Sequence, residues 1–99
     1  MAGFVIGQLK EISNPDAFGV YQGVAIPTVV QYGGKLVMNS KKVEAANGGW
    51  SPAAVVVIEF ESVEQARKWY HSPEYQAVAG QRFDSADSAD SAVIIIDGD

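Results

Sequence analysis

The sequence predicts an α+β fold with the element order β-α-β-β-α-β. Three observations carry this. Gly3–Ile12 and Ala53–Phe60 are apolar on both strand faces, the pattern of central strands covered on both sides. Each of these stretches is followed by a helix start, Asn14-Pro15-Asp16 in one case and Ser62 with Gln65 in the other. Between them Lys35–Ala45 reads as a polar edge strand, protected from stray pairing by Lys35, Lys41 and Lys42.

In the first strand Phe4 and Ile6 share one face, and Val5 and Leu9 the other. Gly7 inside it predicts a close backbone approach or a bulge. The first helix takes Asn14 as N-cap, Pro15 at its first position and Asp16 at the positive end of its dipole. Phe18, Tyr21, Ala25, Val29 and Tyr32 then form one apolar stripe. Gly19 and Gly23 each cost about 1 kcal/mol in a helix. Two readings of them stand open, close packing against a neighbour or a loose helix. Pro27 should kink the helix, and Gly33-Gly34 should end it. Asn47-Gly48-Gly49 turns the second strand into the third as a hairpin.

The third strand points Val55, Val57 and Glu59 one way and Val56, Ile58 and Phe60 the other. Glu59 is the anomaly. It is read as a carboxylate at the wet strand end or as a buried, partnered one. Ser62 and Gln65 fit a capping box. Glu61 and Glu64 sit near the positive end of the second helix, and Arg67, Lys68 and His71 near its negative end. Val63, Ala66 and Tyr70 share a face, with Trp69 at its flank. Ser72-Pro73 breaks the helix and restarts it, with Ser72 as the new cap. Tyr75, Val78, Ala79 and Arg82 share a face of the second segment. Asp84–Ala92 repeats Asp-Ser-Ala three times, a low-complexity loop or frayed helix. Its spacing is not that of a calcium loop, and no metal is expected there. Ala92–Ile96 is the last strand.

This order makes two split βαβ units, the ferredoxin-like arrangement: a four-stranded antiparallel sheet with two main helices on one face. Strands one and three are then central, two and four edges. Two problems remain: Ile94, Ile95 and Ile96 lie on an edge, and one sheet face has no helix over it. A second sheet packing on that face resolves both, so a homodimer through the sheet face is expected.

A length of 99 residues fits a single domain with a thin core. The net charge of −5 argues against nucleic acid and anionic membrane surfaces as partners. The chain has 0 cysteines, which excludes a disulfide scaffold, a thiol nucleophile and thiolate metal sites. No signal segment and no run near the ~20 apolar residues of a membrane span can be read, so a cytoplasmic location is expected.

Tyr32-Gly33-Gly34-Lys35, Trp50-Ser51-Pro52 leading into Val55–Phe60, and the run from Ala66 to Gln76 carry a resemblance that extends over essentially the whole chain. The sequence resembles the family known as domain of unknown function 1330, in the dimeric α+β barrel superfamily. Arg82 also matches its pattern. The Asp-Ser-Ala repeat departs from the short, glycine-containing turn usual there. The resemblance implies the fold and a dimer, and no particular reaction. Related branches resemble cofactor-free monooxygenases, lactone isomerases, stress-responsive barrels and haem-degrading enzymes.

Two functional readings follow. In the first, a pocket between sheet and helices binds or turns over a small molecule without a cofactor. His71 is its candidate acid/base, Glu59 and Arg82 position a polar group, and Tyr21, Trp50, Trp69 and Tyr75 form aromatic walls. Each has a structural counterpart: His71 as a helix cap, Glu59 with Arg82 as a salt bridge, Trp50 as a lid over the hairpin. In the second, the protein is a non-catalytic dimeric binding or stress-associated module. Convergence of Glu59, His71 and Arg82 on one cavity separates the two, and a solvent-facing His71 removes its catalytic assignment.

Overall fold

The structure, a computed structural model, describes residues 2–85 and 92–98, with side chains at 81–85 left aside. Its elements are β1 (Gly3–Leu9), α1 (Pro15–Gln31), β2 (Lys35–Ser40), β3 (Ala54–Phe60), α2 (Val63–Tyr70), α3 (Pro73–Ser85) and β4 (Ala92–Asp97). The strands form one antiparallel sheet of order β2-β3-β1-β4. The two-faced apolar strands β1 and β3 are central, as their patterning requires.

The period of two sorts the sheet into a covered and an open face. Val5, Leu9, Ala54, Ile58 and Phe60 are buried on the covered face. There Val5, Ile58 and Phe60 join Ala25, Val29, Ala66, Trp69, Tyr75 and Ala79 in one core beneath the helices. The open face carries Phe4, Ile6, Val55 and Val57, flanked by Met38 on β2 and by Ile94 and Ile96 on β4. Ile94 and Ile96 are 43% and 38% exposed.

The helix termini follow the sequence signals closely. The Asn14 side chain accepts from the Ala17 N–H at 3.1 Å. α1 ends in a Schellman motif, with the Gly34 N–H donating to the Val29 carbonyl and the Gly33 N–H to the Val30 carbonyl. Gly33 takes a φ of +79°, the left-handed conformation that motif needs. Pro27 lies inside a helix that stays continuous from Pro15 to Gln31. At the α2–α3 break the buried Ser72 hydroxyl donates to the Trp69 carbonyl at 2.6 Å and accepts from the Tyr75 N–H at 3.1 Å.

Three local expectations change. The capping box of α2 is half formed: Ser62 Oγ accepts from the Gln65 N–H, but the Gln65 amide donates instead to the Tyr32 carbonyl at 2.8 Å. That bond ties the end of α1 to the start of α2. Gly19 and Gly23 are exposed, and a Cβ at either would meet nothing within 4 Å, so the close-packing reading fails. Close approaches occur instead at Gly3, where a Cβ would stand 2.5 Å from the Ser62 carbonyl oxygen, at Gly34, 2.6 Å from Phe60, and at Gly98, 2.8 Å from the Ala2 carbonyl oxygen. Gly7 causes no bulge; pairing runs unbroken through it, and the irregularity lies in β2 between Leu36 and Met38. Most of the Asp-Ser-Ala repeat, residues 86–91, lies outside the described residues.

Candidate functional site: a cavity over Gly7

Gly7 occupies the middle of a central strand, on the covered face between Val5 and Leu9. Its cross-strand partners there are Val56 and Val93. A Cβ built on Gly7 would meet nothing within 4 Å. The space that a side chain would fill is a cavity of about 90 Å³, with Gly7, Val56 and Val93 on its sheet side. A water needs about 10–15 Å³ of such space, so there is room for several.

Helices supply the other walls. The stripe of α1 brings Phe18, Tyr21, Ala25 and Val29, α2 brings Trp69, and α3 brings Tyr75. The Tyr21 and Tyr75 hydroxyls are hydrogen-bonded at 2.8 Å. The Trp69 and Tyr75 ring centroids lie 4.3 Å apart with planes inclined by 41°. Trp69 is fixed from behind: its indole N–H donates to Thr28 Oγ1 at 2.9 Å, and that hydroxyl donates to the Ala25 carbonyl at 2.6 Å. A buried indole N–H thus has its partner, and the ring keeps one orientation. At the rim Gln22 donates to Asn39 Oδ1 at 3.2 Å, joining α1 to β2.

Of the residues expected to form a site, Tyr21, Trp69 and Tyr75 come together on this cavity. Trp50 does not; it is 44% exposed and its indole N–H donates to the side chain of Gln8. Gln8 alternates with Gly7 and so projects to the open face. Glu59 is half-buried on that open face, paired in register with Phe4 on one side and Lys35 on the other. His71 is the exposed C-cap of α2, its ring edge-on to Tyr70 at 5.3 Å. The Arg82 side chain lies outside the described residues. Glu59 and His71 therefore do not converge on the cavity, and the catalytic assignment of His71 is dropped.

Residues that sequence reasoning passed over are Gly7, Thr28, Gln22 and Asn39. The available signal was Gly7 itself: a glycine on the inner face of a core strand leaves either an approach or a space.

A separate polar cluster fixes α1 to α3. The Tyr32 hydroxyl donates to Glu74 Oε1 at 2.8 Å, and Gln31 donates to Oε2 at 3.1 Å. The Tyr32 hydrogen bond holds the Glu74 carboxyl below the usual carboxylate range, and the same bond raises the tyrosine. This cluster does not line the cavity. Among the described residues no helix is long and apolar enough to cross a membrane.

No curated protein matches the chain. Solved structures do. A protein of unknown function from Rhodopseudomonas palustris is 19% identical, with a TM-score of 0.73 over 97% of this chain and 81% of that one. An ethyl tert-butyl ether D (EthD) family protein from Bacillus halodurans is 12% identical, with a TM-score of 0.67 and full coverage, 100%, of both chains. A dimeric protein of unknown function and ferredoxin-like fold from Bacteroides fragilis is 11% identical, with a TM-score of 0.55 over 97% of this chain and 95% of that one. At these identities the likeness establishes the fold. The profile of one family matches residues 2–99, and by that match the chain belongs to DUF1330, a domain of unknown function.

Proposed function

We propose that the protein is a small-molecule binding protein that uses the cavity over Gly7 and works as a homodimer joined through the open sheet faces. The observation that supports the binding reading is the cavity itself. Aromatic walls held by Ser72 and Thr28 surround a space left by one missing side chain in a core strand. Neither Glu59 nor His71 faces it, which favours binding over acid/base turnover.

The dimer reading rests on the open face. Met38, Ile94 and Ile96 are exposed beside Phe4 and Ile6, a contiguous apolar surface of the kind that marks an interface. A facing sheet would also cover Trp50 and Glu59. The Bacteroides fragilis neighbour is described as dimeric.

A second reading, cofactor-free turnover, is favoured by one feature, the Tyr21–Tyr75 hydroxyl pair on the cavity wall, since a phenol can pass a proton. Sedimentation at micromolar concentration tests the assembly, and a monomer alone overturns it. A thermal-shift screen against small molecules, repeated with Gly7→Val, tests the site. Stabilisation by a compound that the variant ignores supports binding in this cavity. Equal stabilisation of both proteins overturns it. Conversion of the bound compound, lost in Tyr75→Phe, would establish the second reading.

A further inference from the structure

We infer that Asn39 and Gln22 form the recognition end of the cavity over Gly7, where together they hold the hydroxyl or carboxamide group of a guest whose apolar body lies inside. This deepens the binding reading above and rests on it.

The register of β2 brings Asn39 to that place. Leu36 pairs with Ile58, Met38 with Val57 and Asn39 with Val56. Residues opposite each other in a sheet share a face, and both Ile58 and Val56 line the cavity. Leu36 and Asn39 therefore share the covered face although they are three residues apart, a spacing that strict alternation forbids. Val37 is the extra residue that makes the difference. In an unbroken strand, alternation from Leu36 would put Met38 on the cavity side and turn Asn39 away from it. Re-aiming a side chain in this way is a recurrent use of β-bulges beside functional sites.

Helix α1 supplies the second amide. Phe18, Gln22 and Ile26 follow one another at intervals of one turn, and all three line the cavity. A glutamine thus stands between two apolar residues on an inward-facing row. Its Nε2 donates to Asn39 Oδ1 at 3.2 Å. Gln22 is half-buried, Asn39 is exposed and Leu36 is 37% exposed, so the cavity reaches the surface at this pair.

Further in, the buried Val5, Leu9, Val29 and Ile58 line the space. The apolar part of a guest gains by leaving water for those walls, which leaves its polar end at the mouth. Each carboxamide has two N–H donors and an acceptor oxygen, and the bond between them engages one donor and one acceptor position. A hydroxyl or carboxamide, itself donor and acceptor, can bridge the two side chains. Water competes for the same groups, so the net gain is modest, and its effect is to orient and select the guest.

The experiment is methyl NMR of the intact protein, of Asn39→Leu and of Gln22→Met, titrated with xenon, cyclopentane and cyclopentanol. Xenon is known to enter dry apolar cavities and makes no hydrogen bond, so it reports the space itself. All three probes are expected to move the methyl signals of Val5, Val29 and Ile58 in the parent. In each variant cyclopentanol should bind about 2–10-fold more weakly, the worth of one hydrogen bond, while xenon and cyclopentane bind as before. Cyclopentanol unchanged in either variant, or failing to bind the parent where cyclopentane binds, overturns this assignment and leaves the cavity as a site. Equal weakening of all three probes also overturns it, because the amides would then only hold the shape of the cavity. If no probe moves the parent's methyls, this inference falls together with the binding reading.

Discussion

Tyr21 on α1 and Tyr75 on α3 meet hydroxyl to hydroxyl, 2.8 Å apart, at the wall of the cavity. They reach that contact by separate routes. Tyr21 stands one turn after Phe18 on the apolar stripe of α1, with the two ring centroids 5.7 Å apart. Tyr75 is set by the Ser72 cap, whose hydroxyl accepts the tyrosine's own N–H. Two phenols end to end thus bridge α1 and α3 at the cavity wall.

Removing one hydroxyl takes away the bond that it shares with the other. Tyr21→Phe and Tyr75→Phe are each expected to cost about 1–2 kcal/mol of unfolding free energy. The double variant should cost less than the sum of the two single losses, because one bond is common to both changes. Urea denaturation of the four proteins measures this. Fully additive losses would show that the bond contributes nothing.

The glycines predict effects of opposite sign. Gly3→Ala forces a Cβ to within 2.5 Å of the Ser62 carbonyl oxygen and 2.6 Å of Val63 Cα, both backbone atoms at the start of α2. Strand and helix must separate, and a loss of about 1–3 kcal/mol or more is expected. Gly19→Ala meets nothing within 4 Å on an exposed helical position and should gain about 0.5–1 kcal/mol. Melting temperatures of the two variants should therefore move in opposite directions.

Those glycines also mark what a sequence can disclose. The strand order was readable because β1 and β3 are apolar on both faces while β2 is polar. The caps were readable because Asn14-Pro15 and Ser72-Pro73 are local signals whose partners lie within a few residues. Gly3, Gly7, Gly19 and Gly34 look alike in the sequence, yet two touch neighbours, one opens a cavity and one is solvent-exposed. The difference lies in what other elements place beside them. Gln65 misled for the same reason: its local partner was Ser62, but the end of α1 offered the Tyr32 carbonyl. Tyr21, Trp69 and Tyr75 could be gathered from helical spacing. Glu59 was placed on the correct strand face, with Val55 and Val57, yet was still offered as a residue of the pocket beneath the helices, which its alternation with Ile58 and Phe60 already argues against.

The Tyr32–Glu74 pair predicts a pH dependence with two limbs. The folded carboxyl lies below its unfolded value, so its contribution is present above that value, about 4.3, and is lost as pH falls through the folded one. The tyrosine is raised, so its contribution is present below about 10 and is lost as pH rises through the folded value. Between these limits the pair adds no slope. In Tyr32→Phe the alkaline limb should vanish and the acid limb flatten, leaving only what Gln31 and the backbone do for Glu74. Melting temperature against pH for both proteins checks this. An unchanged acid limb in the variant would exclude Tyr32 as its cause.

Lysine substitutions on β4 separate a lone subunit from a dimer. Ile94 and Ile96 are 43% and 38% exposed in the single chain, on an edge strand and on the face away from the helices. In a monomer, Ile94→Lys with Ile96→Lys should cost little, since lysine is well tolerated on an exposed edge and its stem can lie along the sheet. In a dimer joined through these faces, each lysine enters an apolar interface opposite a copy of itself, and charge burial with like-charge repulsion opposes association. The expected outcome is a shift in sedimentation from dimer to monomer, together with a melting temperature that depends on concentration in the parent and not in the variant. A variant that remains a dimer would place the contact elsewhere, because no arrangement that buries these two isoleucines against their counterparts accommodates four ammonium groups.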